Sequence, residues 1–309
     1  MQRLSCHIKI ANLSFDFVSE VEIESAWDKL TTRAKIIIPR NVKLKDGGVL
    51  PQIKKGDPVE IYLGYDGDNQ EQFIGYVSQI KADLPLEIEC EDEMWQLKQI
   101  RVSNAWKKVS LQTMLSTILP GYTIRSQDMD LGAFRISEVS AAKVLDALKR
   151  QYGLRSFFVG KILYVGLLHP LTPVSWNYSF QYNIISNQLE YLSQDDHKIK
   201  LKAISILPNG KKIEEELGDP DGESRTLHYY NLDQSSLKEA AQAEIDKLKR
   251  SGYKGSFLAF GDSSIFHGDA VSLLDDEYPD REGSYQVEGV TTRFGQGGYR
   301  KEIKLGAKL

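Results

Sequence analysis

Apolar and polar residues alternate through most of the first hundred positions, the period that places one face of a strand against a core and the other toward water. Ile8–Phe17, Val21–Ile23, Ala34–Ile38, Val59–Tyr65, Phe73–Ile80 and Leu86–Cys90 are short runs rich in β-branched and aromatic side chains. Turn chemistry breaks them at Asp46-Gly47-Gly48 and at Tyr65-Asp66-Gly67-Asp68-Asn69. Strands at this spacing predict a small barrel or sandwich. The N-terminal Met1–Ile10 also alternates and lacks the apolar block of a signal peptide.

After about residue 102 the period changes. Leu111, Met114, Leu115, Ile118 and Leu119 recur at helical spacing behind Ser110, whose hydroxyl can cap the first free amides; Pro120-Gly121 stops the run. A second helix is expected from Ser140 through Ala141, Val144, Leu145 and Leu148 to Gly153. The runs Ser156–Val159 and Lys161–Val165, meeting at Gly160, read as a hairpin, and His169–Pro173 as an exit linker.

Strand patterns return at Trp176–Tyr182, Asn187–Leu192 and Lys198–Leu207. In the last of these the apolar set shifts from Ile199, Leu201 and Ala203 to Ile204 and Ile206, which suits a bulge or a strand end buried on both faces. Gly210–Ser224 is polar and reads as a solvated loop. One helix is expected from Ser235 or Ser236 through Leu237, Ala241, Ile245 and Leu248 to Gly252. Ser256–Phe260, Tyr285–Phe294 and Arg300–Leu305 complete the strands, and Gly295-Gln296-Gly297-Gly298 lies between two of them as a hairpin turn.

Two phrases in this pattern match. Gly56-Asp57-Pro58-Val59-Glu60-Ile61 returns as Gly268-Asp269-Ala270-Val271-Ser272-Leu273. Gly-Asp alone is an ordinary turn pair. Here, however, a new alternating run opens sixteen residues after each Asp, at Phe73 and at Tyr285. The expectation is one β unit built twice, marked by the turns Gly56, Asp57, Gly268 and Asp269. The fold class is therefore mainly β with α+β insertions: two similar small β-barrels flanking a helix-helix-hairpin domain. The domain reading is 1–102, 103–172, and 173–309 with an α+β interruption at about 196–254.

Composition adds limits. The 309 residues carry a formal net charge of −4, with 41% hydrophobic and 27% charged residues. That is a globular balance with no global basic field for nucleic acid. No apolar run of membrane-spanning length occurs. The two cysteines, Cys6 and Cys90, both fall in expected strands and read as buried small apolar side chains, with a disulfide left open.

Motifs that carry chemistry are sparse. None of His7, His169, His197, His228 and His267 pairs with another His or Cys at metal-ligand spacing. The acidic cluster Glu89-Cys90-Glu91-Asp92-Glu93 could supply paired carboxylates. Strand alternation, however, sends Glu89 and Glu91 to one face and Asp92 to the other, and a solvated strand end is favoured, with Asp92 capping Met94-Trp95-Gln96-Leu97. Asp219–Glu223 partly resembles a calcium loop but lacks its full donor set; it and the acidic stretch Asp275–Asp280 read as surface turns. No phosphate-cradling glycine loop or nucleophile elbow is found. No catalytic, cofactor or metal residue is expected.

The order of parts resembles a known family. Lys55–Ile61, Gly64-Tyr65, Phe73–Val77 and Glu89–Asp92 look like the first barrel of baseplate hub, or late-control, proteins of contractile phage tails. Gly261-Asp262, His267–Val271, Gly283–Val287 and Lys304–Gly306 look like the second, and the helix with Ala240–Ala243 before Gly252–Gly255 fits the same layout, which is shared with the hub portion of type VI valine-glycine repeat proteins. The resemblance covers most of the chain, with positions 103–172 matching in general shape only. It implies a homotrimer whose six near-equivalent barrels meet a hexameric tail tube on one face and a spike on the other. It further implies synthesis in the bacterial cytoplasm, incorporation into a phage tail baseplate or phage-like particle, and no enzymatic activity. Because the sequence stops at Leu309, a separate spike protein is expected. Two other readings are carried forward. One is a carbohydrate-binding β module using Trp27, Trp106, Trp176, Tyr229 and Tyr230; the other is a glycan hydrolase using Glu89 and Glu91.

Overall fold

The computed structural model describes residues 3–39, 53–81, 85–193, 198–249 and 251–309. The Asp46-Gly47-Gly48 turn expected from sequence lies outside them, as does His197.

The first unit contains β1 (Leu4–Ile10), β2 (Leu13–Phe15), β3 (Glu20–Ala26), β4 (Arg33–Ile38), β5 (Pro58–Tyr65), β6 (Asp68–Lys81) and β7 (Leu86–Glu91). The run expected as one strand over Ile8–Phe17 is instead the β1–β2 hairpin, turned at Ala11, whose φ is 50°. The strands pair in the order β3-β4-β7-β6-β5-β1, each step antiparallel. Alternation puts Ile8, Val21, Ile36, Ile61, Val77 and Ile88 into a single core, each of them fully enclosed. Because β1 and β3 stand at opposite ends of that order yet share the core, the sheet curls over itself into a barrel-like unit. Each such enclosed side chain contributes about 1.5–3 kcal/mol.

The middle region comprises α1 (Met94–Gln99), β8 (Arg101–Ser110), α2 (Leu111–Ile118), β9 (Thr123–Ser126), β10 (Asp130–Ser140), α3 (Ala141–Tyr152), β11 (Arg155–Val159) and β12 (Ile162–Gly166). Ser110 and Ser140 cap α2 and α3, and Gly153 ends α3 in the left-handed conformation. The β11–β12 hairpin forms as expected and gains β9 as a parallel neighbour. The β8–β10 pair has no counterpart in the sequence reading. β8 is largely polar and is fixed by pairing with β10, whose Leu131 and Ile136 enter the middle core.

The second unit uses β13 (Ser175–Ser179), β14 (Ile184–Leu192), β18 (Gly252–Phe260), β19 (Ala270–Leu274), β20 (Gly283–Gly295) and β21 (Gly298–Lys308). Their order is β14-β18-β21-β20-β19-β13, the same path as in the first unit, around a separate core of Phe257, Val271, Tyr285, Val287 and Ile303. One step differs: β13 pairs with β19 in parallel, whereas β1 pairs with β5 antiparallel.

Between β14 and β18 stand β15 (Ile199–Ile206), β16 (Lys212–Gly218), β17 (Glu223–Tyr230) and α4 (Gln234–Leu248). The solvated loop expected over Gly210–Ser224 is corrected here: β16 pairs with β15 in unbroken register, and β17 pairs with β15 in parallel. The charges that disguised β16 are cross-strand partners, Lys202 with Glu214 at 2.7 Å and Lys200 with Glu216 at 3.3 Å. The apolar shift in β15 marks burial on both faces and not a bulge. Leu201 and Ala203 pack against α4, while Ile206 enters the middle core. The α4 cap is Asp233, whose carboxylate accepts from the Ser236 amide at 2.8 Å, two or three residues earlier than Ser235 or Ser236 would place it.

Candidate functional site

The two Gly-Asp phrases sit in turns with the same hydrogen bonds. The Gly56 amide donates to the Val77 carbonyl and the Gly268 amide to the Val287 carbonyl, both at 2.8 Å. The return bonds run from Val77 to Asp57 at 2.9 Å and from Val287 to Asp269 at 2.8 Å. Each Asp carboxylate accepts from the amide three residues back, Lys54 at 2.7 Å and Phe266 at 3.0 Å. The φ values of the two glycines are 92° and 91°, a region open to glycine and strained for any other residue. The strands that follow pair alike, Pro58 opposite Tyr76 and Ala270 opposite Gln286. Both return strands then carry a bulge two residues on, at Ser78 and at Glu288.

Each glycine also seats a ring. A Cβ at Gly56 would come within 2.9 Å of the Trp95 indole, and one at Gly268 would overlap the His169 imidazole. Trp95 stacks on Tyr76, and Glu93 beside it accepts from the hydroxyls of Tyr76 and Tyr122 at 3.1 and 2.9 Å, tying the first unit to the middle region. His169 lies in a second cluster with Trp27, Phe157 and His267, their ring centroids about 5 Å apart, which joins all three regions. Burial and the neighbouring His169 push His267 down to about 3, and burial lowers His169 as well, so both imidazoles are neutral at pH 7. Asp269 has a larger task than Asp57. It also accepts from the Val174 amide and the Trp176 indole N–H, both at 3.1 Å, anchoring β13.

The two units are joined through strands. β3 pairs antiparallel with β20, Ala26 opposite Gly289 through to Glu20 opposite Gly295, so one sheet runs from the first unit into the second. Glu22 and Arg293 form an ion pair across this joint at 3.1 Å.

The chemical candidates do not converge. Glu89 pairs with Lys81 and Glu91 with Lys98, both at 2.5 Å, on the outer face of the first sheet. Asp92 is not at a solvated strand end. It is 8% exposed and accepts from the Thr32 and Met94 amides at 2.9 and 3.0 Å, while burial pushes it up to about 7. Asp219 accepts from the Ile199 amide and pairs with Lys249 at 2.8 Å. His7 contacts Asp16 at 2.6 Å, and His228 packs over Gly153. Cys6 and Cys90 are both buried and free, with burial raising both thiols. Among the described residues no group of three or more His, Cys, Asp or Glu side chains could hold a metal, and no helix is long and apolar enough to cross a membrane. The aromatics considered for sugar stacking are dispersed: Trp27 is buried at the three-way junction, Trp176 is held by Asp269, and the Tyr230 hydroxyl accepts from the Asp130 amide at 2.9 Å.

The functional features missed in the sequence are the rings over the two glycines and the β3–β20 joint. Neither has a local signal. Both depend on contacts between residues far apart in the chain.

No protein-family model and no curated protein matches the chain. Its fold does match solved structures. The tail protein from Neisseria meningitidis MC58 superposes with a TM-score of 0.67 at 13% identity, covering 99% of this chain and 97% of that one. The 43 kDa tail protein of prophage MuSo2 from Shewanella oneidensis gives 0.64 at 13% identity, covering 98% and 97%. The E. coli c3393 protein, described as a component of the type VI secretion system with structural similarity to the T4 bacteriophage tail proteins gp27 and gp5, gives 0.63 at 11% identity, covering 97% and 76%. At these identities the likeness is one of fold.

Proposed function

We propose that this chain is the structural hub of a contractile phage tail, a prophage tail or a related injection machine, acting as a homotrimer without a catalytic site of its own. One observation carries the reading: a single chain holds the same strand path twice, with matched Gly-Asp turns, and joins the copies by strand pairing. Three such chains offer six near-equivalent units around one axis. A trimer can meet a sixfold partner only if each chain supplies the unit twice.

On this reading one face of the ring meets a tail tube and the other a spike. Gly56, Asp57, Gly268 and Asp269 hold equivalent corners of the two units. Residues 1–102 and 173–309 form the ring, the latter interrupted at about 196–254, and 103–172 pack beside it. The chain is made in the bacterial cytoplasm and incorporated into the baseplate. The shared fold with tail and secretion-system proteins supports this placement. So does the scatter of the acidic candidates, with Glu89, Glu91 and Asp219 held in ion pairs and Asp92 by backbone amides.

Light scattering at tens of micromolar tests the assembly. The expected mass is three times the 35.0 kDa chain. A strictly monomeric protein at that concentration overturns the reading.

A further inference from the structure

Within the chain, β3 of the first unit lies against β20 of the second. By strand order and register, β14 is the second unit's counterpart of β3. Glu22 faces Lys35 on β4 as Gln188 faces Ser256 on β18, and Glu24 and Glu190 follow two residues on. Likewise β6 is the first unit's counterpart of β20. The bulges at Ser78 and Glu288 fix the match, so Gln79, Ile80 and Lys81 answer to Gly289, Val290 and Thr291.

These two counterparts do not meet in one chain. Among the described residues β14 ends the sheet, bonded only to β18, and β6 past Val77 pairs only with β7. Their exposure shows what is missing. Ser25 on β3 is 9% exposed, while its counterpart Tyr191 on β14 is only partly covered and Glu190 beside it is exposed. Val290 on β20 is 6% exposed, while its counterpart Ile80 is only partly covered. An open strand edge is a template for strand addition.

We infer that β14 of one chain adds antiparallel to the free edge of β6 in a second copy, in the register of the internal β3–β20 joint. The inference rests on the ring reading and names the contact that closes it. The register places Leu192 opposite Gln79, Tyr191 opposite Ile80 and Glu190 opposite Lys81 of the next chain. Glu190 then joins the charge ladder in which Lys81 already pairs with Glu87 and Glu89. Tyr191 covers Ile80 on the core side, as Ser25 covers Val290 inside the chain. The contact is head to tail, so it closes a ring only when the rotation between successive units is the same within and between chains.

A disulfide trap reads the register directly. The Trp27 amide donates to the Glu288 carbonyl, which makes Ala26–Gly289, and therefore Glu24–Thr291 two residues on, non-hydrogen-bonded pairs with close Cβ atoms. The intermolecular counterpart of Glu24–Thr291 is Glu190–Lys81. The double variant Glu190→Cys, Lys81→Cys is oxidised under mild conditions and run on a non-reducing gel. The internal control is Glu24→Cys, Thr291→Cys, and the two native thiols are buried. The expected result is conversion of most chains to covalent dimers and trimers by the double variant alone. Each single variant stays unlinked, and the control closes within one chain. A threefold mass by light scattering with no interchain link, while the control closes, overturns this interface and leaves the ring reading standing. A monomeric mass with no link overturns both.

Discussion

Asp57 and Asp269 occupy matched turns but do unequal work, and the inequality is measurable. The Asp57 carboxylate accepts from one exposed amide, that of Lys54. Replacing it with Ala removes a single turn bond whose donor can turn to water, a loss of about 1 kcal/mol. Asp269 accepts from three donors: the Phe266 and Val174 amides and the Trp176 indole N–H. Two of these contacts are part-buried. Hydrogen bonds to a charged acceptor are worth about 1.5–3 kcal/mol each, and the exposed Val174 amide recovers most of its share from water. Asp269→Ala should therefore cost about 3 kcal/mol, and Asp269→Asn, which keeps a neutral acceptor, about half of that. The difference of about 2 kcal/mol between the two Ala variants is roughly a thirtyfold change in an unfolding constant. Urea unfolding followed by tryptophan fluorescence is the assay, with circular dichroism as the second probe in case the units unfold separately. Trp176, at the site, reports on the second unit. If Asp269→Ala destabilises no more than Asp57→Ala, the carboxylate does not anchor β13 as described.

Other consequences follow from the same geometry. Gly56→Ala and Gly268→Ala each force a side chain into positive φ, at about 1–3 kcal/mol. Gly268→Ala should be the worse in a thermal melt, because the enclosed His169 ring has less room to yield than the edge of Trp95. Two buried groups set opposite pH slopes. His267, held near 3 in the folded protein against an ordinary value of 6.5, binds fewer protons folded than unfolded. Its stabilising share is full above about 6.5 and falls as the pH drops toward 3. Asp92, raised to about 7 from 3.8, binds more protons folded than unfolded, so its share falls as the pH rises from about 4 to 7. Urea midpoints across pH 4–8 should therefore lose part of the acid limb in His267→Gln and part of the neutral-side decline in Asp92→Asn. Unchanged slopes would contradict the burial described for these two groups.

Much of the strand pattern was legible because β-branched and aromatic residues alternate with charge, as in Val59-Glu60-Ile61-Tyr62-Leu63 and Val21-Glu22-Ile23. The capping serines of α2 and α3 were legible for a local reason, a hydroxyl ahead of a helical stripe. What the sequence concealed depends on partners distant in the chain. β16 reads as a loop because Glu214 and Glu216 find their cations only across the strand on β15. β8 has no counterpart in the sequence reading because its largely polar residues are placed by pairing with β10. The Gly-Asp phrases drew attention to two corners, but their shared hydrogen bonds and bulges, and the rings that cover them, appear only in three dimensions. Most consequential for function is the β3–β20 register. No local pattern specifies which strand lies beside which across more than 250 positions.

The central claim is that one chain supplies two near-equivalent sectors of a ring. Electron-microscopy class averages of the purified protein test it most directly. The account predicts end-on views with six similar lobes around a central opening, reduced to threefold symmetry by the regions that are not repeated. Averages that show isolated single chains, or a closed assembly whose lobes are not a multiple of six, would contradict it.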